Sequence, residues 1–217
     1  MKNKLNLKVS EISDLLPVIK KYPFATAISV LGEQIEISSL PIIARDLPDG
    51  SLQLLGHLST GNPQWLHLKN KASLTLIFNG PNTYINSSWY AVNDVSTWNY
   101  ITVRAQGTPI IHEDYKTLIE ILKCTTDHVN NIYEDKWDFY IPEDLKLESE
   151  LTSAIGGFSI VPEKFLGLFK LSQSKSISDQ INIINKLNQR NDENSRLIAE
   201  YMRNNVEQEP LSMKLFE

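Results

Sequence analysis

At 217 residues, 41% hydrophobic and 22% charged, the chain has the size and composition of a folded globular protein, which excludes a wholly disordered or a fibrous one. An antiparallel barrel of about 200 residues buries a sizeable core without disulfides or metal. The formal net charge of −5 repels a phosphate backbone, and the 21 lysines and arginines are spread without a dense block, so direct DNA binding is unsupported.

In chain order, Met1 to Lys8 is basic but lacks the apolar run of a signal peptide. Ile12, Leu15, Leu16 and Ile19 recur at helical spacing and predict a short helix before Pro23, with Ser13 as N-cap and Pro17 in the first turn, where its missing N–H costs little. Phe24 to Val30, Gln34 to Ile43 and Ser51 to His57 are β-rich runs separated by Gly32 and Pro48-Asp49-Gly50; they predict three antiparallel strands. Ala72 to Phe78 and Asn82 to Asn86 flank Asn79-Gly80-Pro81 and read as a hairpin in which Gly80 takes a positive φ.

Thr97 to Gly107 predicts a longer strand, and Tyr115, Leu118, Ile119 and Leu122 mark an amphipathic helix. Lys136 to Glu150, around Pro142, reads as a loop leading into a short helix. Gly157 to Val161 and Lys164 to Leu171 return to strand pattern; Ile177, Ile181 and Ile184, then Leu197, Ile198 and Tyr201, predict two terminal helices. Residues 208–217 read as a loosely held tail. With no repeat and no Pro/Gly/Ser linker, residues 1–207 read as one domain. The single cysteine, Cys124, and the absence of any apolar run near 18 residues point to a reducing, cytoplasmic setting off the membrane, and four scattered histidines offer no zinc spacing.

Four segments, in order, carry a resemblance. They are Tyr22-Pro23-Phe24-Ala25-Thr26; Gly56-His57-Leu58 with Asn62-Pro63-Gln64-Trp65; Ser88-Trp89-Tyr90 with Thr97-Trp98-Asn99-Tyr100; and Lys170-Leu171-Ser172-Gln173. Over roughly residues 10–190 the chain resembles the PaiB-type FMN-binding negative transcriptional regulators. The resemblance implies a mainly β fold with helical additions (α+β), an antiparallel split β-barrel of the flavin-reductase and pyridoxamine-oxidase kind. It further implies a homodimer with FMN in a cleft to which both subunits contribute. The chain departs from the family where Thr-His-Leu-Pro becomes Ser38-Ser39-Leu40-Pro41, and where an arginine is missing from Ser59-Thr60-Gly61. Losing that arginine removes a bidentate phosphate clamp, which makes FMN conditional on the remaining donors.

FMN requires donors for its phosphate, a flat aromatic wall for the ring system and hydrogen bonds to the ring's polar edge. For phosphate the motifs offer Lys170, Lys175, Ser172 and His57, with the hydroxyls of Ser59 and Thr60. His57 either contacts a ligand or bonds a neighbouring loop. Asn62 and Gln64 either recognise a ligand or stitch the turn around Pro63. Trp65 reads as core or interface packing. Trp89 and Trp98 stack a flavin, line a dimer seam or fill the barrel. Asn99 points to the face opposite Trp98 and Tyr100 and is a hydrogen-bonding candidate. Ser172 and Gln173 contact the ligand or cap the following helix. No dinucleotide, Walker, nucleophile-elbow or zinc-helix signature is present, so no catalytic residue is nominated. The leading expectation is a flavin-binding regulatory dimer. Its alternatives are an FMN-dependent oxidoreductase of the split-barrel group and a cofactor-less interaction module.

Overall fold

The computed structural model describes residues 8–9, 11–92, 94–142 and 147–207; the expected tail, 208–217, lies outside the described residues. Nine strands are present: β1 (Lys8–Val9), β2 (Phe24–Leu31), β3 (Gln34–Asp46), β4 (Leu52–Ser59), β5 (Leu74–Ile85), β6 (Thr97–Gly107), β7 (Ile110–His112), β8 (Ile155–Ile160) and β9 (Lys164–Lys170). They hydrogen-bond in the order β1-β9-β6-β5-β2-β3-β4-β8-β7. Among the described residues six α-helices accompany them, α1 (Ile12–Lys21), α2 (Pro63–Lys69), α3 (Tyr115–Tyr133), α4 (Glu148–Ala154), α5 (Ile177–Asn188) and α6 (Glu193–Glu207), together with one 3-10 turn at Ser87–Trp89. Contacts group the described residues into two compact units, one from the stretches 12–78 and 104–165, the other from 8–11, 79–103 and 166–207.

In the first unit, β2 and β3 form a hairpin closed by Gly32 in the left-handed region at φ +62°, and the chain reverses again through Gly50 at φ +82° before β4. Alternation sends Ala25, Ala27 and Ser29 inward, as a half-buried strand requires. β8 pairs with β4 in the register Gly56↔Phe158, His57↔Gly157 and Leu58↔Gly156. Leu15, Val18 and Ile19 of α1, Leu68 of α2, Leu118 and Ile121 of α3, and Phe158 complete the core of this unit. The helix α1 starts at Ile12, so Ser13 is inside it and Pro17 falls in the second turn, a correction to both sequence expectations.

The expected hairpin at 79–81 is also corrected: one strand, β5, runs straight through it. None of the three turn residues forces a reversal here. Gly80 is absent from the positive-φ residues, and a Cβ at this position would stand 3.1 Å from the Ile101 carbonyl oxygen, so the glycine is needed for close strand approach. The paired register with β2 ends at Ile77, so Pro81 removes no bond from that ladder.

In the second unit the apolar faces of α5 and α6 pack Ile183, Leu187, Ile198 and Met202 into a core with Ile85, Ile101 and Phe169. Thr83 and Ser195, both buried, share a 2.8 Å hydroxyl bond, and Arg190 donates to Thr83 Oγ1 and to the Tyr84 carbonyl. The cap of α5 is Ser176, whose Oγ accepts from the Asp179 N–H; Ser172 and Gln173 do not cap it.

Candidate functional site

The twelve candidates fall into two groups, one in each unit. In the first unit His57 and Ser59 end β4, Thr60 lies in the turn, Asn62 caps α2 and Gln64 sits in its first turn. Pro at the first helical position and Asn as cap give this seven-residue helix its start. Asn62 Oδ1 accepts from the Gln64 N–H at 2.9 Å, and its amide donates to Ser38 Oγ at 3.0 Å. The family's altered Ser38-Ser39 segment and its Asn-Pro motif thus meet. Thr60 donates to the Ser153 carbonyl, and Ser59 Oγ accepts from the Gly61 N–H.

Gln64 is fully buried, its amide within bonding distance of the Ala27 carbonyl (3.1 Å), Ser29 Oγ (3.1 Å) and the Glu36 carbonyl (3.2 Å). Ser29 in turn bonds the buried His67 ring. These bonds tie α2 to the β2–β3 hairpin. Gln64→Ala is therefore expected to lower the unfolding free energy by about 2 kcal/mol, read from urea denaturation, because it strips buried acceptors of their donor. Unchanged stability with weakened flavin binding would assign Gln64 to the ligand instead.

Among the described residues, His57 Nδ1 and Gln64 Oε1 are both buried with no hydrogen-bond partner, and burial pushes the His57 imidazole below its ordinary pKa, which favours its neutral form. Above the unfolded value of about 6.5 both states are neutral and stability is whole; as pH falls below it the unfolded chain takes the proton first, and stability is lost down through the folded value. His57→Gln is expected to flatten stability against pH below about 6.5, by at most about 1.4 kcal/mol per pH unit, in melts across that range.

In the second unit Trp98 and Tyr100 project from one face of β6 and line a concavity of about 290 Å³ with Asn79, Gly80, Asn82 and Thr102. Trp98 is half exposed and meets Tyr84 edge-on at 6.2 Å between centroids. Lys170 Nζ donates to Thr97 Oγ1 at 2.7 Å and stands 6.0 Å from the Tyr100 ring centroid. Its ammonium therefore keeps donors beyond the one this bond uses. Lys175 is committed elsewhere, ion-paired with Asp94 and 4.3 Å above the Tyr90 ring.

Asn99 is buried on the opposite face of β6, as expected, where its Oδ1 accepts from Ser172 Oγ at 3.0 Å and its amide reaches Met202 Sδ. Gln173 folds back on its own strand end, donating to the Phe169 carbonyl and accepting from the Leu171 N–H. Trp89 lies under the Arg190 guanidinium at 4.7 Å. Of the seven candidates here, Trp98 is the exposed one, and Lys170, though part-buried, keeps donor capacity beyond its bond to Thr97. The sequence reading missed Asn79 because it made it a turn residue, and Asn82 because it opened a separate strand there; one strand over Leu74–Ile85 brings both to the concavity with Trp98.

These residues fit a flavin's needs. Within the second unit Trp98 and Tyr100 give an aromatic surface, Lys170 a cation 6.0 Å from the Tyr100 ring centroid, and Asn79, Asn82 and Thr102 polar atoms around the concavity. A family model described as "Putative FMN-binding domain" matches residues 1–164. The chain belongs to this FMN-binding family. It is also 29% identical, over 205 residues covering 93% of this chain and 96% of the relative, to protease synthase and sporulation protein PAI 2 of Bacillus subtilis (strain 168). Lys170 to Lys175 lie beyond the family match but within the span shared with this full-length relative.

Among solved structures, the chain is similar to a FAD and heme binding protein from Mycobacterium smegmatis, at 15% identity over 80% of this chain and 78% of that one, with a TM-score of 0.57. The flavocytochrome Anf3 from Azotobacter vinelandii gives 12% identity over 78% and 72%, with the same TM-score. At such identities the likeness carries the fold alone, the α+β flavin-binding split barrel that the motifs implied. Among the described residues, no helix is long and apolar enough to cross a membrane, and no cluster of side chains could hold a metal ion.

Proposed function

We propose that this chain is a PaiB-like regulatory protein that binds FMN, acts as a homodimer and resides in the cytoplasm. The observation that carries the flavin part is the Trp98–Tyr100 wall with the under-used ammonium of Lys170 beside it. Trp98 offers the isoalloxazine a stacking surface, Lys170 offers the phosphate a charge, and the chain's other candidate lysine is neutralised by Asp94. Bound FMN supplies reversible redox chemistry and a ligand whose occupancy a partner can sense. The Bacillus relative is named a protease synthase and sporulation protein, and the sporulation in that name supports a regulatory reading.

The test is a visible absorption titration of purified protein with FMN, followed through thermal melts. Retained yellow colour and a melting temperature that rises with FMN concentration are expected, since a ligand held by the native state alone stabilises it. Trp98→Ala and Lys170→Ala are each expected to weaken FMN by about tenfold or more, the cost of one stacking or charge-assisted contact. Neither colour nor stabilisation would remove the flavin and leave an interaction module.

A further inference from the structure

A second concavity, of about 630 Å³, opens in the first unit where the end of α2 meets β7, and none of the candidates named above is among its lining residues. Its volume lies within the range of small-molecule sites. Its floor is apolar, from Ile110, Ile111 and Val161, and its charged lining is Lys69, Lys71 and Glu113. Lys69 Nζ stands 5.7 Å from the Trp65 ring centroid, and among the described residues no carboxylate pairs with Lys69 or Lys71. In this concavity two ammonium groups without a carboxylate partner among the described residues border an apolar surface.

Lys71 sharpens the point. It follows the C-cap Asn70 of α2 and takes the left-handed conformation at φ +56°, a position where helix ends favour glycine. A cation at a helix C-terminus complements the helix dipole, and here Lys69 and Lys71 also line the concavity. Two lysines against one glutamate leave the lining at +1, which complements a monocarboxylate better than a phosphate dianion.

We propose that this concavity binds an amphipathic small-molecule carboxylate, its apolar body on Ile110, Ile111 and Val161 and its carboxylate between Lys69 and Lys71. The site is independent of the flavin reading. The experiment follows isoleucine methyl NMR signals of the full chain while sodium 4-phenylbutyrate is added to about 10 mM, with 4-phenylbutyramide as the neutral control. Saturable shifts at Ile110 and Ile111 are expected, with a dissociation constant of about 1 mM or below, and at least about tenfold weaker binding of the amide.

Lys71→Gly suits its backbone conformation, so it should fold and bind the carboxylate about tenfold more weakly, while Lys71→Arg retains binding. Lys69→Gln provides a second reading should Lys71→Gly alter the fold. Trp98→Ala, which weakens FMN, should leave the carboxylate response unchanged, so failure of one site is distinguishable from failure of the other. Equal response to acid and amide, absence of saturable shifts, or indifference to both lysine substitutions would overturn the proposal.

Discussion

Gly156→Ala is expected to destabilise the protein by about 3 kcal/mol, measured as a fall in the urea midpoint with an unchanged slope. A Cβ at this position would stand 2.6 Å from Cη2 and Cζ2 of Trp65 and 2.7 Å from Cε2. Trp65 is 4% exposed and rigid, so the ring has nowhere to retreat. On the opposite face of β8, a Cβ on Gly157 would come within 2.9 Å of Leu118 and Ile121 of α3. The two glycines let α2 and α3 close on the strand from either side.

Removing the other partner is as costly for the opposite reason. Trp65→Ala should lose about 3–5 kcal/mol to an unfilled cavity. The combination Gly156→Ala with Trp65→Phe, in which the smaller ring yields space to the methyl, should cost clearly less than the sum of its single changes. Additivity would mean that the two residues do not press on each other, and the packing account of this motif tryptophan would fail.

Ile37→Asp is expected to convert the proposed dimer to a monomer, weakening association by about 100-fold or more as read by sedimentation velocity. The β2–β3 hairpin turns an apolar face to solvent: Phe24 is 67% exposed, Val30 52%, Ile35 62% and Ile37 64%, with Val30 opposite Ile35 and Ile28 opposite Ile37. A contiguous apolar surface of this kind marks an interaction site more readily than isolated exposed residues do. In a two-fold symmetric interface each substitution acts twice, and a desolvated carboxylate is heavily penalised.

Because Ile37 is exposed in the protomer, the aspartate variant should keep its circular dichroism spectrum and its fold. A dimer that survives the substitution would move the interface to another face. A wild-type chain that sediments as a monomer at micromolar concentration would remove the dimer from the functional reading altogether.

The sequence by itself determined what depends on near neighbours. Strand β6 was legible end to end from its β-branched and aromatic run, and the β2–β3 reversal from Gly32, because alternation and turn chemistry act over a few residues. The rare motifs likewise carried the family, later matched over residues 1–164. Helix α2 was missed although Asn62 and Pro63 announce it, since seven residues are too few to display a helical period.

Tertiary structure alone decided the rest. Asn79-Gly80-Pro81 has turn composition, yet Gly80 is held in a strand by Ile101, a neighbour twenty-one positions away. Lys170 and Lys175 were equivalent cations on the page of sequence; Asp94, eighty-one positions from Lys175, neutralises one and leaves the other beside Tyr100. Ser172 lost its capping role to Ser176 and gained Asn99 as partner. A side chain's chemistry is local, but its remaining capacity to bind depends on which distant groups folding brings within about 3 Å of it.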